Sequence, residues 1–424
     1  MNKNNNWYKT EYQKEAINSN SWFDINVIEN KNYSAISKQL KKEEKEKYLS
    51  TKKIFLYPNL EQKQIILKWM DLFIDMYNIS NNFINNNVYD FTNDRIITEN
   101  KRRYLNFRNL RDNYIKVQKK SLYRNKINKH LLDEAIKHNV AKHKTCCTNF
   151  FQKNINFFRI RKMKKRRRKK ILIIESALFS KTKNSFCSSI LGNMESSEPL
   201  NTIKKTSTLQ YDKHLNRFTL YIPEEKECIK FSNNNDKCGI DPGVRTFLTC
   251  YSNKKIIEIG NNCYKKYKPI YKKIDKIRTL YSKKCISKKK FTKALNHYHD
   301  KIKNLTKDLH YKSARFLCQN FDNISIGKIS TRNIVSKKKN KLNKISKRAM
   351  LSLSHYKFRE EVLKHYCNKS NNIMNEIDES YTSKTCHSCF NINKKKNETK
   401  VFKCEKCNLI CDRDINASIN IYYK

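Results

Sequence analysis

Four cysteines near the C-terminus have the types and spacing that speak most directly of chemistry. Cys386-x-x-Cys389 and Cys404-x-x-Cys407 are two knuckles with fourteen residues between them, and two such pairs set four thiolates around one tetrahedral Zn²⁺. His387 and Cys411 are substitute donors, but four sulfurs already complete the shell. A closed four-thiolate site keeps no position open for substrate, so its expected role is structural, together with DNA contact. The second group is acidic: Asp241, Glu379 and Asp414, in a chain with 91 Lys plus Arg against 39 Asp plus Glu. Asp241 ends the short run C-G-I-D, and the Pro242-Gly243 turn should leave its carboxylate exposed at a sheet edge. Asp412 and Asp414 open a helix, where either suits an N-cap or first-turn acid. Carboxylates converging from strand and helix ends hold two Mg²⁺ ions, which polarise phosphate and activate water for in-line attack.

Those groups must be positioned by a sizeable fold. At 424 residues with 38% apolar content, the chain has room for two or three domains. A formal net charge of +52 suits a long polyanionic partner, not a small metabolite. The N-terminus has no apolar signal-peptide core, and stretches such as I-L-I-I (171–174) fall far short of the roughly 18–20 residues of a membrane span. A membrane partner is therefore not expected. Fifteen cysteines, an odd number and mostly scattered, read as thiols or metal ligands in a reducing compartment.

Residues 1–50 read as a polar, partly disordered extension with one helix near 35–48. Residues 51–235 read as a β-rich wedge (about 51–60 and 155–235) carrying a helical insert at about 61–154. Within it, K-K-I-F-L-Y-P predicts a strand stopped by Pro58, and helical periodicity follows from Leu60, at about 101–119 and at 130–152. Residues 236–424 read as strands at 238–241, 245–252 and 256–260, two basic helices at about 264–283 and 289–320, a strand at 323–329, a helix at about 347–367, a strand at 372–378, the cysteine module (ribbon at about 380–411) and a helix from about 413. With the paired basic helices counted once, the order β-β-β-α-β-α-β-α is that of the RNase H fold. The expected fold class is thus multidomain α/β.

G-I-D-P-G-V-R-T-F (239–247), D-L-H-Y-K-S-A (308–314), E-S-Y-T-S-K-T-C (379–386) and C-D-R-D-I-N-A-S-I-N-I (411–421) resemble Fanzor proteins, the eukaryotic and viral relatives of TnpB, itself similar to the RuvC half of type V CRISPR effectors. Weaker matches at 53–62 and 135–150 extend the resemblance over about residues 50–424. It implies an RNA-guided, Mg²⁺-dependent DNA endonuclease with guide RNA and flanking-motif-bearing double-stranded DNA as partners. It also implies wedge and recognition domains followed by RuvC, and a nuclear location. It favours Asp414 over Asp412, leaving Asp412 as cap. One departure stands out: TnpB carries a Glu at the fourth strand in a pattern like I-x-I-E, whereas this chain has I-S-I-G (324–327). The resemblance implies a relocated Glu at 379, with Glu376 and Asp378 as alternatives. Loss of that acid would leave a guided DNA-binding protein without cleavage. A guide-independent nuclease or transposase is the other alternative, though it leaves the basic front half without a task.

The run R-I-R-K-M-K-K-R-R-R-K-K (159–170) has ten basic residues in twelve. Arg159, Arg161, Lys164, Lys165, Arg166, Arg167 and Arg168 are the candidate nucleic-acid contacts; a nuclear localisation signal and a solvated face are the other readings. The basic loop 336–348 extends the same field. Of the interleaved Tyr104, Phe107, Tyr114, Phe157 and Phe158, some suit base stacking and most suit a core.

Overall fold

The computed structural model describes residues 25–29, 47–90, 95–96, 103–123, 126–229, 231, 236–253, 255–331, 335, 344–394 and 400–424. They form two compact units, residues 49–226 and residues 227–424, the second completed by β1 (Ile25–Glu29) from the N-terminal segment. That strand falls within what reads as a polar extension. I-N-V-I-E finds a partner by pairing antiparallel along the edge strand of a sheet, Ile25 opposite Ile259 through Glu29 opposite Lys255. The helix expected over 35–48 falls outside the described residues up to 46, and Lys47–Tyr48 are strand. Most of the basic loop 336–348 also lies outside them.

In the 49–226 unit, β2 (Lys47–Tyr57) ends before Pro58, which cannot supply a ladder N–H. α1 (Leu60–Val88) starts on a reciprocal cap: Asn59 Oδ1 accepts from Gln62 N–H at 2.9 Å, and Gln62 Oε1 accepts from Asn59 N–H at 3.0 Å. Its Ile66, Trp69, Met70, Phe73 and Tyr77 recur at helical spacing and share a buried core with Leu131, Leu132 and Ile136 of α2 (Lys129–Phe151). The helix expected at 101–119 is split, with a π turn at Leu110–Tyr114 before Lys116–Tyr123. The strands β3 (Lys169–Ile174), β4 (Glu195–Ser196), β5 (Ser207–Asp212) and β6 (Arg217–Glu227) join β2 in the order β3-β5-β6-β2-β4.

The 227–424 unit is built on β7 (Lys237–Pro242), β8 (Leu248–Ser252) and β9 (Lys255–Ile259). They are followed by α3 (Tyr264–Ser282), α4 (Lys288–Asn320) and β10 (Asn323–Gly327). Next come α5 (Lys344–Leu353), α6 (Lys364–Ser370) and β11 (Ile373–Ile377). The ribbon strands β12 (Val401–Lys403) and β13 (Ile410–Asp412) lead into α7 (Arg413–Tyr423). The sheet order is β1-β9-β8-β7-β10-β11, antiparallel as far as β7 and parallel beyond it. The helix expected over 347–367 breaks at Ser354, which has a left-handed backbone (φ 49°). Beyond the break, His355 stacks on one side of Phe247 and His310 stacks too, with ring centroids 5.0 and 5.4 Å away.

Period-2 alternation sorts the side chains to two faces. Cys238, Ile240, Leu248, Cys250, Ile257, Ile259, Ile324 and Ile326 bury themselves in a core shared with residues of α3, α4, α5 and α6. The residues between them face α7, whose Ile415, Ile419 and Tyr422 pack with Tyr251 and Ile256. Gly239 lies at that contact: a Cβ there would stand 2.5 Å from the Ser418 carbonyl oxygen and 2.5 Å from the Tyr422 nitrogen. Backbone atoms of a packed helix cannot yield that distance. Gly239→Ala is therefore expected to cost about 3 kcal/mol or more of stability, read from the denaturant midpoint of the full chain.

Candidate functional site

Asp241, on the α7 face two residues after Gly239, sits opposite Thr249 of β8, which in turn sits opposite Glu258 of β9. Because α7 lies directly on Gly239, its first turn brings Asp414 to the end of β7. Asp412 is the N-cap, accepting from the Asp414 and Ile415 N–H groups at 2.8 and 3.4 Å. With Asp412 occupied in that way and paired to Lys400 at 3.0 Å, Asp414 is the acid turned to Asp241. Its Oδ1 takes Arg413 Nη2 at 3.2 Å.

The Pro242-Gly243 turn does not leave Asp241 exposed at an edge. β7 is a central strand between β8 and β10, and the carboxyl is half-buried. Burial pushes it well above the carboxylate range, the negative charges of Asp414 and Glu379 push it further, and Arg413 opposes them. The charges of the other two sequence-predicted acids are thus felt at the Asp241 carboxyl.

Glu379 reaches it from two residues beyond β11. At β10 a Cβ on Gly327 would lie 2.5 Å from Glu379 Oε1, 2.8 Å from Cγ and 3.0 Å from Cδ. The Glu379 side chain thus lies across the space that any larger residue at 327 would fill. Register explains why that space matters: Ile326 pairs with Ile240, so the next position, Gly327, stands alongside Asp241. Glu376 and Asp378 do not compete. Glu376 pairs with Ile326 on the opposite face and is held by Arg359 at 3.5 Å and Lys328 at 3.8 Å. Asp378 caps its own turn through Ser380, 3.0 Å from the hydroxyl.

Glu379 Oε1 is buried without a hydrogen-bond partner. Burial drives its carboxyl up to about 7, against the pull of Arg359 and with the push of Asp378. An orphaned, buried carboxylate oxygen whose charge is felt at Asp241 fits a cation. Among the described residues only the cysteine set has three or more donors within 4.8 Å of one another. Raised above its ordinary 4.5, Glu379 favours the protonated folded state. Its contribution to metal-free stability is full below pH 4.5 and is lost as pH rises through 7, so the melting temperature of the wild type relative to Glu379→Gln should fall across that window.

Glu258 completes the face and is not evident as a site residue from sequence, although the alternation I-I-E-I places it opposite the core. Burial and the charges of Asp412 and Asp414 raise its carboxyl, Lys400 lowers it, and Asn261 Nδ2 donates to it at 3.1 Å.

The four cysteine sulfurs lie within 4.8 Å of one another. The Cys386–Cys407 and Cys389–Cys404 separations are 3.6 and 3.5 Å. Zn–S bonds of about 2.3 Å give tetrahedral S–S edges of about 3.8 Å, so the set fits a structural zinc. The N–H groups of Lys406 and Cys407 donate to Cys404 Sγ at 3.4 Å each, as at a thiolate knuckle. His387 and Cys411 are not ligands. His387 directs its N–H and Nδ1 to Asn416 Oδ1 at 3.0 and 2.9 Å, and Cys411 packs behind Cys386 and Phe402. Asn416 and Asn420 of α7, spaced i,i+4, each donate to the Thr385 carbonyl at 2.8 Å, and Asn420 to the Thr382 carbonyl at 2.8 Å. Thr382 in turn donates to the Glu379 carbonyl at 2.9 Å. The ribbon is bolted to the helix that carries Asp414 and to the turn that carries Glu379.

In the other unit, the basic run is exposed at Arg159, Arg161, Lys164, Lys165, Arg166 and Arg167. Some of the candidate contacts are engaged within the fold, among them Lys165 with Asp75 at 2.6 Å and Arg168 with Asp212 at 3.2 Å. Tyr104, Phe107, Tyr114 and Phe158 pack against the core, while Phe157 is exposed. Among the described residues no helix is long and apolar enough to cross a membrane.

Two family models match, "Cas12f1-like, TNB domain" over residues 355–421 and "Probable transposase" over residues 221–338. The fold is similar to that of a Cas12f1 solved with sgRNA and target DNA: TM-score 0.51, 14% identity, 86% of this chain and 83% of that one. Two proteins of Acanthamoeba polyphaga mimivirus, TnpB-like protein L79 and TnpB-like protein R854, are 34% and 35% identical over 96% of this chain and 83% and 82% of their own lengths. Identity at that level, along almost the whole of this chain and more than four-fifths of theirs, means that this chain belongs to the TnpB-like proteins.

Proposed function

We propose that the chain is an RNA-guided DNA endonuclease of the Fanzor kind, cutting with a RuvC active site made of Asp241, Glu379 and Asp414. The observation that carries this is the Glu379 side chain lying over Gly327, alongside Asp241 in an RNase H-ordered sheet, with its Oε1 buried and unsatisfied. Two Mg²⁺ ions held there would polarise the scissile phosphate and supply the activated water. The chain's own residues do the rest. Asp241 stands on a central strand, Arg413 bonds Asp414, and Glu379 reaches in across Gly327. The bonds from Asn416 and Asn420 to the Thr382 and Thr385 carbonyls hold the ribbon on the carboxylate edge. A guide RNA and its target heteroduplex would be held by backbone charge and shape, which a +52 chain supplies. A double-stranded target with a short flanking motif and a nuclear site of action belong to the same reading.

Gly327 leaves no acid at the fourth strand, which would favour a binding-only protein. The Glu379 side chain lying over it favours a nuclease.

The test is to sequence RNA co-purified with the full chain, then challenge the complex with a plasmid library bearing the matching target. Guided cutting that needs Mg²⁺ and is lost in Asp241→Ala and Glu379→Gln is the expected result. A bound RNA without cutting in the wild type would leave only guided binding, and no discrete RNA would end the guided reading.

A further inference from the structure

The basic run is not a loose tail. From Phe157 to Lys164 the chain adopts neither helix nor strand, yet three asparagines on one face of α1 take its backbone groups. Asn78 makes a two-way pair with Met163, accepting its N–H at 2.7 Å and donating to its carbonyl at 3.0 Å. Asn81 and Asn85 donate to the Ile160 carbonyl at 3.0 and 3.2 Å. The steps of three and four residues put these rungs on a single helical face. Asn81 is fully buried, and its Oδ1 is bonded to His143 Nε2 of α2 at 3.0 Å, so the middle rung is itself anchored.

Side chains divide accordingly. Phe158, Ile160 and Met163 pack on the core. Arg161, Lys162, Lys164, Arg166 and Arg167 stand exposed, and among the described residues none of these five has an acidic partner. Five like charges held on a fixed backbone repel one another, a cost that a bound polyanion removes. A receptor for linear peptides works differently, because it takes up the main-chain groups of a freely extended segment. Here those groups at Ile160 and Met163 are already bonded inside the fold.

We infer that residues 157–168 form a pre-positioned phosphate-binding strap, in which an asparagine ladder on α1 holds five cationic side chains ready for the sugar–phosphate backbone of a nucleic acid. The inference rests on the nucleic-acid reading proposed above and adds where, and by what device, part of that charge is delivered. Rigidity enters because side chains and backbone ordered in advance do not have to be ordered on binding.

Salt dependence separates charge from rigidity. Binding of the full chain to labelled RNA and DNA duplexes of about 20 base pairs is measured across a salt series. Arg161→Gln/Arg166→Gln/Arg167→Gln is expected to lower the slope of log K against log salt by about 2–3. Asn78→Ala/Asn85→Ala keeps every charge; it is expected to weaken binding about tenfold with the slope unchanged. Asn85→Ala alone, which loses one bond, is measured beside it in case the double variant melts, with about a threefold loss expected. Whichever duplex shows these effects identifies the source of the phosphates. Wild-type protein that binds neither duplex sinks the nucleic-acid reading and the strap with it. Wild-type binding with an unaltered slope in the arginine variant, or undiminished affinity in the asparagine variants, overturns the strap alone. So does a gain of import-receptor capture when the ladder is removed, which would mark the run as a linear signal that the fold conceals.

Discussion

Gly327→Ala is expected to lose Mg²⁺-dependent cleavage by at least about a hundredfold while the chain stays folded. The added methyl would lie 2.5 Å from Glu379 Oε1, and the atom that yields is the tip of a flexible side chain, not backbone. Gly327 does not have a positive φ, so alanine is not strained there. The damage is therefore confined to the Glu379 carboxylate, which is pushed off the face it shares with Asp241. Thermal melting should move little. Divalent-cation binding, followed by calorimetry with Mn²⁺, should weaken about tenfold or more. In a Gly327→Glu/Glu379→Ala double variant, the new carboxylate would project from beside Asp241 into the space that Glu379 vacates, and should recover part of both. Unchanged Mn²⁺ affinity and cutting in Gly327→Ala would show that Glu379 does not work from its present position.

Stripping the cysteine site is expected to have an equally large effect, although its sulfurs touch none of the carboxylates. Structural zinc in small modules is worth about 10 kcal/mol or more of folding free energy, and the ribbon around it is small. Its loss releases His387 from Asn416 and the 382–385 carbonyls from Asn416 and Asn420, leaving Glu379 on an unanchored turn. Cys404→Ser should cut guided cleavage about a hundredfold and make the segment from Ser380 to Lys406 sensitive to protease. Asn416→Ala should reproduce most of the cleavage loss with zinc still bound. Zinc-free protein that cuts normally would reduce the ribbon to an appendage.

What could be read along the chain followed from local rules. The cysteine knuckles announce themselves because ligand spacing is a property of a few consecutive residues. Strand and helix order between 237 and 424 was legible because period-2 and 3.6-residue patterns are local, whereas local rules left Asp412 and Asp414 equal as caps and only the family resemblance favoured Asp412. Asp241 was legible by type and place but not by environment. A Pro-Gly turn suggests an exposed edge, whereas flanking by β8 and β10 makes its strand central and desolvates the carboxyl. β1 was missed because an edge pairing over a separation of some two hundred residues leaves no local trace beyond five residues of modest strand propensity.

Residue types, ligand spacing and periodicity thus determined by themselves most of the elements, the cysteine set that fits a zinc ion and the pool of acids. Tertiary structure decided which acid completes the face, because Glu376, Asp378 and Glu379 differ only in where the sheet points them and in what Gly327 leaves empty. It also decided that Glu258 joins them, that Asn416 and Asn420 tie ribbon to helix, and that a basic run is clamped rather than loose. Each of these depends on which distant backbone and side-chain atoms come within about 3 Å of one another, and the packing of whole elements sets that distance.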